Sequence, residues 1–149
     1  MTLISGSASG EIDAPLELCW EIVSDLTRAP EWQQGLVEVT VVERDDEGRA
    51  LLCDTVTDAK FRQVRCRVRL SYAPPTRMAF TRVSGDAEAM EGSWELEPLG
   101  PARTRATYSL AVDPGHVRGL LAKGLEKALR PVIVGGRPGE LAREVARRG

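Results

Sequence analysis

The spacing of apolar residues along this chain changes period, and each change marks an element. Residues 3 to 12 alternate weakly and are mostly small, which predicts a first strand ending at Ile12. Asp13-Ala14-Pro15 reads as a helix start, with Asp13 as N-cap and Pro15 in the first turn. Leu16, Cys19, Trp20 and Val23 then share one helical face, and Glu17 and Glu21 the other. Ser24-Asp25 ends this helix and caps a second short one. Arg28-Ala29-Pro30-Glu31-Trp32 breaks that one, because proline disfavours the helical conformation at Ala29.

From Val37 the period is two. Val37, Val39 and Val41 alternate with Glu38, Thr40 and Val42; Asp45-Asp46-Glu47-Gly48 turns, and Ala50 to Thr57 returns. Thr57-Asp58-Ala59-Lys60 turns again. The next strand has the clearest pattern, with Val64, Cys66, Val68, Leu70 and Tyr72 on one face and Arg65, Arg67 and Arg69 on the other. Ala73-Pro74-Pro75-Thr76 stops it. Arg77 to Ser84 follows, with Met78 and Phe80 on one face, and Gly85-Asp86 turns. Met90, Gly92, Trp94 and Leu96 alternate with Glu91, Ser93, Glu95 and Glu97, and Pro98 to Pro101 turns. Thr104, Ala106, Tyr108, Leu110 and Val112 form the last strand face.

Beyond Asp113-Pro114-Gly115 the helical period returns, with Val117, Leu120, Leu121, Leu125, Ala128, Leu129, Val132, Leu141 and Val145 at helical spacing. Pro131, Gly135, Gly136, Pro138 and Gly139 interrupt it, which predicts a kink or break between 130 and 140 and raises the idea of a gate hinged there. The order is a strand, two short helices, six strands in a meander, and a long helix. Every meander connection is hairpin-short, so neighbouring strands pair antiparallel. A sheet of seven strands with one wet face must curl and cover the other. One helix cannot fill such a concave face, and the gap it leaves is a place for a small molecule.

Composition adds limits. The 149 residues make a single domain over 1–149, 42% hydrophobic and 28% charged, with net charge -2. That charge points to neither nucleic acid nor an anionic membrane, and Arg143, Arg147 and Arg148 read as a solubilising terminus. No apolar run approaches a membrane span and no secretion signal opens the chain. Cys19, Cys53 and Cys66 lie in apolar contexts without a CxxC motif, which implies reduced core thiols and a cytoplasmic protein.

Ile12-Asp13-Ala14-Pro15, then Trp20, Asp25 and Pro30-Glu31-Trp32, resembles the opening of the START-like helix-grip superfamily (SRPBCC), in particular its polyketide cyclase/dehydrase and lipid-transport group. Gly92-Ser93-Trp94-Glu95-Leu96-Glu97-Pro98-Leu99-Gly100, followed by Thr104 to Tyr108, resembles that group's late hairpin. The resemblance implies an α+β helix-grip fold: a seven-stranded curved antiparallel sheet (β-α-α-β6-α) wrapped around a long C-terminal helix, with an internal cavity. It implies no single reaction, because the superfamily spans carriers, quinone-binding proteins, aromatase/cyclases and a ribosome-associated toxin type.

Few residues offer catalysis. His116 is the sole histidine and lies at the start of the last helix, where a surface role is the plainer reading. No zinc site, P-loop or dinucleotide fingerprint is present, so no cofactor is expected. The expected ligand wall is Trp20, Trp32, Tyr72, Phe80, Arg82, Met90, Trp94 and Tyr108 with Leu121 and Leu125 of the helix. For the tryptophans and tyrosines the alternative is plain core packing. Arg82 shares parity with Met78 and Phe80; inside, it needs a carboxylate or an anionic ligand, and otherwise it reaches water at the strand end. Asp54 shares parity with Leu52 and Val56 and points either inward or outward. Arg65, Arg67 and Arg69 read as a solvated face paired with glutamates such as Glu91, Glu95 and Glu97. In related aromatase/cyclases an inward arginine helps orient a polyketide, and no arginine of that strand shares its apolar face. Two functions remain open: a binder of a lipid, quinone or polyketide-like molecule, or a cyclase/dehydratase using Tyr72, Tyr108, Arg82 or Asp54 for proton transfer or carbonyl polarisation. A protein-interaction role like that of the toxin relatives is a third. Oligomeric state is not legible.

Overall fold

The computed structural model describes residues 4–58, 63–113 and 136–148. Strand β1 spans Ile4–Ile12, helix α1 Leu16–Val23, and a 3-10 helix Leu26–Glu31. The meander follows as β2 Leu36–Arg44, β3 Ala50–Asp58, β4 Gln63–Ala73, β5 Arg77–Gly85, β6 Ala89–Gly100 and β7 Arg103–Asp113. Helix α2 is Arg137–Arg148. The strands form one curved antiparallel sheet in the order β1-β7-β6-β5-β4-β3-β2, so each meander strand pairs with its predecessor and β1 closes against β7. This is the α+β architecture expected, with α1, the 3-10 segment and α2 on one face.

Register fixes which side chains share that face. Tyr72, Met78, Trp94 and Tyr108 stand opposite one another across β4 to β7, and Leu70, Phe80, Gly92 and Leu110 form the next row. Trp94, Met78 and Val68 are each 1% exposed, so the alternation in the chain is the alternation between core and water. Helices α1 and α2 pack on β6 and β7 and on β1 and β7 respectively, and on each other. The small residues of β1 make this possible: a Cβ on Gly10 would sit 3.0 Å from Cβ of Pro138. Thr104, fully buried, donates its hydroxyl to the Ala14 carbonyl at 2.9 Å and ties β7 to the entry of α1.

Several local expectations are corrected. Asp13 does not cap α1: Pro15 is the N-cap residue without a side-chain cap, and the Asp13 carboxylate is solvent-exposed 3.9 Å from Arg103. Asp25 does cap, accepting from the Thr27 amide at 3.1 Å and from the Thr27 hydroxyl, but the segment it opens is 3-10 and keeps Pro30 inside it. A register shift at the start of β2 turns Val37 to solvent, leaving Val39 and Val41 against the core and Val42 on the outer face, where the alternation puts it. β6 runs on past Pro98 to Gly100, so the turn is only Pro101-Ala102.

The outward arginines take other partners. β4 lies between β3 and β5, out of reach of β6. Arg67 is bidentate to Asp54 at 2.8 and 3.0 Å, while Glu95 and Glu97 pair with Arg77 and Arg105. Of the terminal arginines, Arg148 is not simply solubilising: it and Arg147 hold the buried Glu144 carboxylate at 2.7 and 2.6 Å. The expected kink falls largely on 131–135, outside the described residues, as do His116, Leu121 and Leu125. From Arg137 onward the chain is helical through Pro138 and Gly139.

Candidate functional site

The inner face of the sheet grades from a sealed end to a less covered one. At the sealed end, Trp94 packs on Tyr108 with ring centroids 5.0 Å apart, and Trp32 packs on Trp94 at 6.0 Å. Trp20 of α1 meets Tyr72 edge-on at 6.4 Å. These contacts give all three tryptophans a packing role; Trp94 is core, while Trp20, Trp32 and Tyr72 are half-buried around it. The Trp32 indole N–H is buried and has no hydrogen-bond partner among the described residues.

The less covered end holds Phe80, Gly92, Met90 and Arg82, all half-buried. Phe80 lies directly over Gly92: a Cβ there would fall 2.3 Å from Phe80 Cζ. The glycine therefore lets the ring lie flat against the sheet, and the apolar wall of Leu70, Phe80, Met90 and Leu110 stays shallow. This glycine is the informative residue that the alternation pattern passes over. Its signal is its position, a side-chain-free site in the middle of an otherwise bulky strand face.

A polar clamp closes the sealed end. Arg137 and Glu140 of α2 are both buried and paired at 2.7 Å. Arg137 also donates to the Gln34 carbonyl at 2.9 Å, and Glu140 accepts from the Gln34 amide at 2.6 Å. The Arg137 guanidinium lies 5.7 Å over the Tyr108 ring. One ion pair thus satisfies a loop backbone and fixes α2 against the strand that carries Tyr108. Periodicity alone does not reveal it, because opposite charges at i and i+3 usually mark a wet face.

The groups proposed for proton transfer are poorly placed for it. Asp54 points outward into its ion pair with Arg67, which holds its carboxyl below the usual range; it is not an inner-face residue. Tyr72 donates its hydroxyl to the Ala50 carbonyl at 2.6 Å, and burial pushes its pKa up to about 12. Burial also raises Tyr108, with Arg137 opposing. The buried thiol of Cys53 is pushed up to about 11 and that of Cys19 is raised, both by desolvation, so neither is an activated nucleophile. Cys19, Cys53 and Cys66 are free. Among the described residues no His/Cys/Asp/Glu group has metal-binding spacing, and no helix is long and apolar enough to cross a membrane.

On the outer face, an open groove of about 310 Å³ runs between Thr76, Arg77, Glu95, Glu97, Arg105 and Thr107. Its charges pair with each other, Arg77 with Glu95 at 3.3 Å and Arg105 with Glu97 at 3.2 Å, which is how a solvated sheet face satisfies itself.

Comparison with known proteins agrees with this architecture. Residues 12–133 match the family model described as polyketide cyclase / dehydrase and lipid transport. Among solved structures, a START superfamily protein from Mycobacterium smegmatis aligns at 21% identity over 97% of this chain and 99% of its own, with a TM-score of 0.79. The Zhui aromatase/cyclase from Streptomyces sp. R1128 aligns at 17% identity over 99% of this chain and 96% of its own, with a TM-score of 0.82. A protein from Thermus thermophilus aligns at 22% identity over 97% of this chain and 99% of its own, with a TM-score of 0.79. At these identities the structural likeness establishes the fold. A search of curated protein sequences finds no relative.

Proposed function

This chain belongs to the polyketide cyclase/dehydrase and lipid-transport family, and from that premise we propose that its inner sheet face binds a hydrophobic small molecule of the lipid, quinone or polyketide-like class. The observation that carries the reading is the shallow apolar wall at the less covered end, where Gly92 flattens Phe80 beside Met90 and Leu110. Half-buried large apolar side chains on a concave face are what a ligand of that class replaces water on. Tyr72, Trp94 and Tyr108 form the neighbouring row of the same face, with Trp20 and Trp32 packed on it. Leu121 and Leu125 belong to the helix expected across it. The three free, buried thiols suit a cytoplasmic setting.

Binding is favoured over covalent chemistry because the side chains suited to proton transfer are committed elsewhere. Asp54 is salt-bridged outside and the Tyr72 proton is held by a backbone carbonyl. A cyclase or dehydratase acting in the same cavity is the second reading, favoured by one observation: a guanidinium over a buried phenol, Arg137 on Tyr108, is a unit able to polarise a carbonyl.

Native mass spectrometry after gentle purification tests the first reading together with a tryptophan-fluorescence titration against fatty acids, quinones and polyphenols. A co-purified apolar mass or a saturable quench is expected. No adduct and no saturable response across the panel would sink the binding reading.

A further inference from the structure

Among the described residues, the inner face carries one charge without an ion-pair partner, that of Arg82. Arg82 stands opposite Val68, a core residue, so its side chain starts from the apolar side of β5. Its one hydrogen bond among the described residues runs from Nη2 to the Gly85 carbonyl at 3.3 Å, and its Nε–H is buried with no partner. The other arginines at the rim of this face have their charge paired, Arg137 by Glu140 and Arg49 by Asp45 at 2.8 Å, although the buried Arg137 Nε–H also lacks a hydrogen-bond partner among the described residues.

Regular alternation places Arg82 there, because the β4–β5 pairs from Tyr72–Met78 to Arg69–Thr81 continue unbroken to Val68–Arg82. From the β4–β5 pairs Cys66–Gly85 and Arg67–Ser84, an unbroken register would set Val83 opposite Val68. A bulge at the strand end instead makes Val83 the extra residue, 47% exposed, and leaves Arg82 in its inward position. The strand thus sends a valine to water and an arginine to an apolar wall, which is the reverse of what burial alone selects. Pairing between β5 and β6 ends at Thr81–Glu91, so at Arg82 the strand is paired on its β4 side alone among the described residues.

We infer that Arg82 is the head-group anchor of the proposed ligand, and that this ligand is an amphiphile ending in a single carboxylate. The inference rests on the reading of this face as a ligand wall. A carboxylate accepts from the unpartnered Nε–H and a neighbouring Nη–H together, the geometry a guanidinium offers best. A single guanidinium matches one negative charge rather than the nearly double charge of a phosphate monoester. The apolar tail then lies along Met90, Phe80 and Leu110.

The test compares 11-(dansylamino)undecanoic acid with its methyl ester, by dansyl fluorescence, on wild-type protein and on Arg82→Gln and Arg82→Lys. Wild type should bind the acid roughly 10- to 100-fold more tightly than the ester, the range for a charge-assisted pair. Arg82→Gln should bring the two affinities together without weakening the ester, and Arg82→Lys should keep part of the preference. An acid bound no better than the ester by wild type, or a preference that survives Arg82→Gln, overturns the anchor. If neither probe binds wild type saturably, the binding reading itself falls.

Discussion

Replacing Gly92 by alanine adds one methyl group to the wall, and its cost is set by the Phe80 ring. The new Cβ would lie 2.3, 2.8 and 3.0 Å from Cζ, Cε1 and Cε2 of Phe80, well inside van der Waals contact. The ring must tilt away from the sheet. Forcing a packed side chain off its position costs about 1–3 kcal/mol. Removing a glycine from a strand returns about 0.5–1 kcal/mol, so the net loss should be about 1–2 kcal/mol. In a Phe80→Ala background the obstacle is gone, and the same substitution should be neutral or stabilise by about 0.5–1 kcal/mol. The coupling energy between the positions, about 1–3 kcal/mol, isolates the clash from general effects of the methyl group. Urea unfolding of the four proteins, followed by circular dichroism, measures it. An equal cost of Gly92→Ala in both backgrounds would refute the claim that this glycine exists to seat the ring.

Two other outcomes follow from the packing and the charges. Trp94→Ala should cost about 3–5 kcal/mol in the same assay, because the indole is 1% exposed and meets both Trp32 and Tyr108; a loss below about 1 kcal/mol would place Trp94 on the cavity instead of in the core. Glu144, held by hydrogen bonds from Arg147 and then Arg148, has its pKa lowered from 4.5 to about 2. A depressed folded-state pKa stabilises fully above the unfolded value and fades as pH falls from about 4.5 towards 2, so wild type should lose more urea resistance across that window than Glu144→Gln. Parallel pH profiles for the two proteins would remove Glu144 from the account.

The faces of β4, β6 and β7 were legible because a half-buried antiparallel strand writes its orientation into every second residue. Val68, Trp94 and Tyr108 are where the alternation puts them. The Asp25 turn was legible for a similar reason, since an Asx side chain reaches an amide two residues on. What escaped was whatever depends on residues distant in the chain. Val37 turns to water because a bulge at the start of β2 shifts the pairing with β3, and no local pattern reports a bulge. The partners of Arg67, Glu95 and Glu97 depend on strand order, not on composition. Arg137 and Glu140 look like surface charges until the Gln34 backbone is brought against them. Arg82 stands on the face that its parity with Met78 and Phe80 puts it on; the bulge at Val83, just beyond it, is what no local pattern reports.

The placement of β1 has a consequence for synthesis. Among the described residues its strand partner is β7 alone, and the Ser9–Thr107 hydroxyl contact at 2.7 Å joins residues 98 positions apart. A chain emerging from the ribosome can assemble β2 through β7 one hairpin at a time, each pairing local and quick. The first strand has nothing to join until the seventh has been made, and α1, which packs on β6, β7 and α2, waits with it. For most of translation the opening segment is therefore an unpaired strand followed by an uncovered apolar helix, the kind of exposed surface that nascent-chain chaperones bind.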